Sequence, residues 1–178
     1  MKGIVFTEFL EMVEDRFGID VAEAILDKAD PASGGAYTSV GTYDFQELVQ
    51  LVVALSGEVS TPVPDLLHAY GRHLFTRFVQ GFPVFFEGVE DPLEFLSSVE
   101  DHIHVEVRKL YPDAELPKFE NVRREADQLE LEYRSPRPFG PFAEGLIQGC
   151  IEHFGAPLNV VSEDRSDAGQ TVVRFTIG

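Results

Sequence analysis

The feature that most constrains this chain is a change in the period of its apolar residues. Up to about Leu110 they recur at helical spacing, and from Leu129 the period drops to two. Phe6, Phe9, Leu10, Val13 and Phe17 form the first helical stripe, and Gly18 is placed to stop it. Asp20 can cap a short second helix through Ala22, Ile25 and Leu26. Asp30-Pro31-Ala32-Ser33-Gly34-Gly35 is a loop by composition. Thr42 or Asp44 starts a third helix, with Leu48, Leu51, Val52 and Leu55 inward and Gly57 at its end. Pro62 and Pro64 precede a longer helix carrying Leu67, Gly71, Leu74, Phe75 and Phe78, closed by Gly81 and Pro83. Asp91-Pro92 pairs an N-cap with a proline at the first helical position. That helix runs to about Leu110, with Leu96, Val99, Ile103, Val107 and Leu110 in one stripe, and Tyr111-Pro112-Asp113 breaks it.

Beyond the break, Leu129, Leu131 and Tyr133 alternate with Glu130, Glu132 and Arg134, which reads as a half-buried strand. Residues 119–123 are an antiparallel partner, turning through Glu125-Ala126-Asp127. A helix follows with Phe139, Phe142, Leu146, Ile147, Cys150 and Phe154 on one side. Two last strands, near 158–161 and 172–177, bracket a turn at 164–169. Helices first, then helices mixed with antiparallel strands, predict an α+β fold in one domain. Its helical lobe covers about residues 1–60, and a lobe of helices on an antiparallel sheet covers about 61–178.

Charge narrows the partners. Lys plus Arg total 14 against 31 Asp plus Glu, a formal net charge of −17. Such a surface repels phosphate backbones and anionic lipid, so nucleic acid and membranes are disfavoured. The N-terminus lacks the basic start and apolar run of a secretory signal, and no stretch approaches the roughly 20 apolar residues that cross a bilayer. This predicts a cytoplasmic protein. The single cysteine, Cys150, excludes an intramolecular disulfide and multi-cysteine zinc sites. Its apolar stripe suits packing rather than nucleophilic chemistry. Fifteen Phe with no Trp and five Tyr point to a thick, oily interior rather than an aromatic-lined sugar groove.

Five histidines carry the candidate metal chemistry: His68, His73, His102, His104 and His153. His102 and His104 would share a face on a strand and chelate one metal, but this segment reads as helix, where they diverge. A single helical histidine still suffices as the axial ligand of a haem. Periodicity does not choose between the two: His102 has Ser98 and Glu106 as helical neighbours, and His104 borders Leu93, Val107 and Tyr111. Tyr133-Arg134-Ser135-Pro136-Arg137 is the second candidate. With the strand extended, Tyr133, Ser135 and Arg137 project to one side and offer two hydroxyls and a guanidinium fork, a set suited to a pair of carboxylates. A nucleophile elbow, a phosphate-binding glycine loop and a calcium loop are all missing, so an enzyme reading has no residues to stand on.

With these residues in view, the chain resembles the haem nitric oxide/oxygen binding family, the H-NOX domains, which also form the haem domain of soluble guanylate cyclase. Met1-Lys2-Gly3-Ile4-Val5-Phe6 is similar to the family's start. His104-Val105-Glu106-Val107-Arg108-Lys109-Leu110-Tyr111-Pro112-Asp113-Ala114 is similar to the bacterial pattern around the proximal ligand. Tyr133-x-Ser135-x-Arg137 matches the family's Tyr-x-Ser-x-Arg motif. The resemblance runs over nearly the whole chain and implies haem b (iron protoporphyrin IX) between the two lobes. The proximal histidine of the family lies seven residues before the Tyr-Pro step, which implies His104 as iron ligand and not His102. Tyr133, Ser135 and Arg137 would bind the haem propionates, and Pro117 would press on the haem face.

Two departures from the family shape the expected function. Oxygen-binding members place a tyrosine nine residues after the motif tyrosine, where this chain has Phe142. The other distal positions, Val5, Phe9, Leu74, Phe78 and Leu146, offer no donor either. Bound dioxygen gains from a hydrogen bond and nitric oxide does not need one, so an apolar pocket selects NO, along with CO, over O2 by omission. The zinc site that some relatives build from several cysteines is missing, with Asp164-Arg165-Ser166-Asp167-Ala168-Gly169 in the corresponding turn. The resemblance implies a switch in which NO weakens the iron–His104 bond, frees its helix and relaxes haem strain. It also implies a separate signalling partner, a histidine kinase or a cyclic-di-GMP synthase or phosphodiesterase. The rival readings are gas storage or transport by haem, and a haem-free adaptor domain.

Overall fold

Helix α1 (Ile4–Phe17) buries Phe6, Phe9, Met12 and Val13, the stripe its helical spacing predicts. The computed structural model describes residues 1–167 and 169–178, so Ala168 of the expected 164–169 turn lies outside the described residues. The chain divides into two compact units, Met1–Tyr70 and Gly71–Gly178, with the boundary inside a long helix.

The first unit is helical. Gly18, at φ 91°, breaks α1 from α2 (Ile19–Ala29), a backbone conformation that glycine adopts without steric cost. Gly18 itself holds the N-cap position, so Asp20 sits in the first turn instead of capping it. Asp44 caps α3 (Phe45–Val59) by accepting the Gln46 N–H at 2.9 Å. The helix continues through Gly57 and stops at Ser60, which takes the left-handed conformation at φ 53°. A β-carbon at Gly57 would meet only the flexible end of the Lys28 side chain, so no close approach demands the glycine. The last helix, α4 (Val63–Gly81), begins in this unit. Tyr70 is fully buried, meets the edge of Phe9 at 5.2 Å and donates its hydroxyl to the Val5 carbonyl at 2.5 Å.

The second unit is built on a four-stranded antiparallel sheet of order β1-β2-β4-β3. The strands are β1 (Lys118–Arg124), β2 (Leu129–Ser135), β3 (Val160–Asp164) and β4 (Thr171–Ile177). β3 starts and ends later than the 158–161 expected, because its register is set by pairing Val160 with Ile177 and Asp164 with Val173. Leu129, Leu131 and Tyr133 of β2 and Val173, Phe175 and Ile177 of β4 share one face. They join a core with Phe75, Leu93, Phe95 and Leu96, and with Ile147, Cys150 and Ile151 of helix α7 (Gly140–His153). Burial pushes the Cys150 thiol well above its ordinary value, which keeps it protonated and suits packing. On the other face, Glu132 is buried as well, because Arg174 donates to it at 2.6 Å and Arg134 closes on it from the same strand.

One segment departs from the expected single helix over 92–110. The chain makes α5 (Pro92–Ser98), capped by Asp91, which accepts the Leu93 N–H at 2.9 Å. A π-helical turn follows over Val99–Ile103, and then α6 (His104–Leu110). The His104 N–H reaches back to the Val99 carbonyl, five residues away. A π turn takes up an extra residue and resets which side chains face inward, and such turns gather at functional sites. No described helix is long and apolar enough to cross a membrane.

Candidate functional site

The π turn separates the two histidines that periodicity leaves equivalent. His104, the first residue of α6, is buried at 8% exposure, while His102, within the wide turn, is exposed. The buried ring is tied to its own helix and to the sheet. Its Nδ1 lies 3.0 Å from Glu100 Oε2, which also accepts the Phe119 backbone N–H at 3.0 Å. The other carboxylate oxygen, Oε1, accepts Arg108 Nη2 at 3.2 Å. Burial alone would raise the Glu100 pKa, but the Phe119 N–H, His104 and Arg108 outweigh it and hold the carboxyl below its ordinary value. Burial likewise pushes His104 below its ordinary value, against the pull of Glu100, and this keeps the imidazole neutral near pH 7. An ionised carboxylate only accepts, so His104 carries its proton on Nδ1, and Nε2 keeps its lone pair. A neutral imidazole with that lone pair is what a metal ligand requires.

Phe119, at the start of β1, connects this ring to the second candidate group. Its ring lies 5.9 Å from His104 and 5.4 Å from Tyr133. β2 ends at Ser135, and Tyr133, Ser135 and Arg137 are all buried. The Ser135 Oγ accepts the Arg137 backbone N–H at 3.1 Å. Burial pushes the Tyr133 phenol above its ordinary value, so it remains a donor. The Arg137 guanidinium donates to the Glu115 carbonyl at 2.9 Å and to the Glu115 carboxylate. Glu115 is 78% exposed on its side chain and Arg137 only 10%. The arginine is therefore the fixed, buried half of the pair, and a carboxylate from a solvent-facing side chain occupies its fork.

The remaining candidates fall as follows. Pro117 is half-buried just before β1. In the second unit, Leu74 of α4 is buried, while Phe78 of α4 and Phe142 and Leu146 of α7 are half-buried. Gly71 brings α4 hard against α7: a β-carbon there would collide with the Phe142 carbonyl and lie 2.8 Å from the Leu146 nitrogen. In the first unit, Phe9 is buried and Val5 half-buried, both on α1. Glu100, Glu115 and Phe119 are not among the site residues the sequence points to. Glu100 has a signal, the four-residue spacing to His104 that aligns side chains on a helix. The Phe119 N–H and the Glu115 contact depend on tertiary placement, and no local pattern marks them.

These residues fit a haem. One neutral imidazole offers a lone pair, and a buried guanidinium already receives a carboxylate, as it would a propionate. Among the described residues no group of three or more His, Cys, Asp or Glu side chains could hold a bare metal ion.

Comparison with known proteins gives the same direction. Residues 2–162 match the family model described as Haem-NO-binding. An Fe(II) unliganded H-NOX protein from K. algicida is 42% identical with a TM-score of 0.94, over 100% of this chain and 96% of that one. An H-NOX from Shewanella woodyi, solved with IWP-051 bound in the Fe(II)CO state, is 41% identical with a TM-score of 0.83, over 99% of this chain and 94% of that one. An H-NOX protein from S. oneidensis in the Fe(II)NO state is 27% identical with a TM-score of 0.86, over 100% and 99%. No curated protein sequence matches significantly. The extent of the family match and the identity across whole domains show that this chain belongs to the haem-NO-binding, or H-NOX, family, whose members bind haem and serve as haem-based gas sensors.

Proposed function

We propose that this protein is a cytoplasmic, non-enzymatic sensor of nitric oxide that holds haem b through His104, takes NO and CO, excludes O2 and signals to a separate partner protein. The observation that carries the reading is the buried His104, whose Nδ1 lies 3.0 Å from Glu100 Oε2 and whose Nε2 is thereby left for iron. Haem, when bound, would supply a ferrous iron able to take a diatomic gas.

The chain's own residues do the rest. Arg137, Tyr133 and Ser135 would receive the two propionates, one of them in place of the Glu115 carboxylate on Arg137. Pro117, just before β1, would pack against the haem. Phe142, Leu146, Leu74 and Phe78 line the gas side with carbon and give bound O2 no hydrogen bond, which is selection by omission. His104 opens α6 directly after the π turn, so a change in what its ring binds would act on both elements. That movement is what a histidine kinase or a cyclic-di-GMP enzyme would read.

The test is an absorption spectrum of the reduced, haem-supplied protein under NO, CO and air. The expected result is a Soret band that shifts with NO and with CO and gives no stable oxy form in air. A colourless protein after haem supply ends the haem reading, and a stable oxy spectrum ends the claim of O2 exclusion.

A further inference from the structure

One carboxylate, Glu100, gathers three donors from two elements, helix α6 and strand β1. Its Oε2 takes the His104 imidazole and the Phe119 N–H of β1, both at 3.0 Å, and its Oε1 takes Arg108 at 3.2 Å. Glu100 lies in the π turn just before the ligand helix and Arg108 lies on α6, so the group spans turn, helix and strand edge. Resting on the assignment of His104 as the iron ligand, we propose that Glu100 is the positioning residue of that ligand and sets the strength of the iron–imidazole bond, with Arg108 moderating it.

A carboxylate that accepts the Nδ1–H of an imidazole fixes the ring's orientation and tautomer and raises the donor strength of Nε2. A neutral acceptor does this less. Arg108 sits on the oxygen that does not touch His104 and draws negative charge toward itself, so it weakens the effect of Glu100 without touching the ring. The Phe119 N–H holds the working oxygen in place from the sheet. The spring that resists release of α6 is then tuned by a pair of residues with opposite signs.

This opposition gives the test. Glu100→Gln keeps an oxygen able to accept from His104 and Phe119 but removes the charge. Arg108→Ala removes only the moderating partner, at a side chain 46% exposed. The readout is the iron–histidine stretching band of the ferrous, haem-loaded proteins by resonance Raman. Glu100→Gln is expected to lower the band frequency and Arg108→Ala to raise it. An unchanged band in Glu100→Gln, or shifts of the same sign in both variants, overturns the proposal. Should Glu100→Gln fail to take up haem, Arg108→Ala decides alone: an upward shift supports the proposal, and no shift or a downward one overturns it. His104→Ala separates the two layers of the argument, because a native band surviving in that variant removes His104 as ligand whatever Glu100 does.

Discussion

The neighbourhood of His104 and the facing surfaces of α4 and α7 obey opposite rules. Around His104 the polar groups are wired: the ring to Glu100, Glu100 to the β1 backbone and to Arg108, and Arg137 to Ser135 and Glu115. On α4 and α7 the candidate residues are Leu74, Phe78, Phe142 and Leu146, with hydrocarbon side chains, and Gly71 lets the two helices meet backbone to backbone. The first arrangement suits a charged group, which needs specific donors and acceptors. The second withholds a donor, which needs only carbon and close packing. On the proposed function, binding would be made in one region and discrimination in the other, so substitutions in the two should alter different observables.

The largest effect expected from breaking the wired region, short of the ligand itself, is at the carboxylate fork. Arg137→Ala should speed haem loss to an apo-globin acceptor roughly ten- to a hundredfold, the equivalent of about 1.5–3 kcal/mol for a charge-assisted pair. Arg134→Ala should do far less, since Arg134 lies on the opposite face of β2 and pairs with Glu132. Equal rates would erase the distinction between the two faces.

A smaller effect is expected from adding polarity to the apolar region. Phe142→Tyr should raise O2 affinity or slow O2 loss while leaving NO binding largely intact. A neutral hydrogen bond contributes about 0.5–1.5 kcal/mol, up to roughly tenfold in affinity. Stopped-flow measurement of O2 dissociation reads it, and a variant that loses NO binding in step would contradict the separation of roles.

The smallest effect belongs to the ion pairs outside both regions. Hydrogen bonding from Arg174 holds the Glu132 carboxyl below its ordinary value. A folded-state pKa below the unfolded one contributes stability that is present above the unfolded value and is lost as pH falls through the folded one. Glu132→Gln should flatten the acid limb of the Tm profile and leave the haem spectrum unchanged. A spectral change in this variant would mean that the outer face of the sheet is not independent of the site.

How much of this was readable in advance follows the same physics. The apolar period located α1, α3, α4, β2 and α7, because each buries a regular stripe. The Tyr-x-Ser-x-Arg spacing brought out the buried fork, since period two on a strand survives to Ser135. The π turn did not show: a helical stripe through Leu96, Val99, Ile103 and Val107 is compatible with an uninterrupted helix, and one extra residue per turn is decided by what the segment packs against. The two histidines stayed equivalent for the same reason. Glu100 stands at readable spacing from His104, but its value depends on the Phe119 N–H, nineteen residues away in sequence. Helix ends were misplaced where conformation overrode composition, as at Ser60 in place of Gly57.

The most direct test of the central claim compares His104→Ala with His102→Ala in the ferrous state. The two residues are two apart, and only the first is buried and bonded to Glu100. His104→Ala should lose haem or its native five-coordinate spectrum and recover in part with added imidazole, while His102→Ala should keep the wild-type Soret band. Equal loss in both variants, or a native spectrum in His104→Ala, would contradict the account.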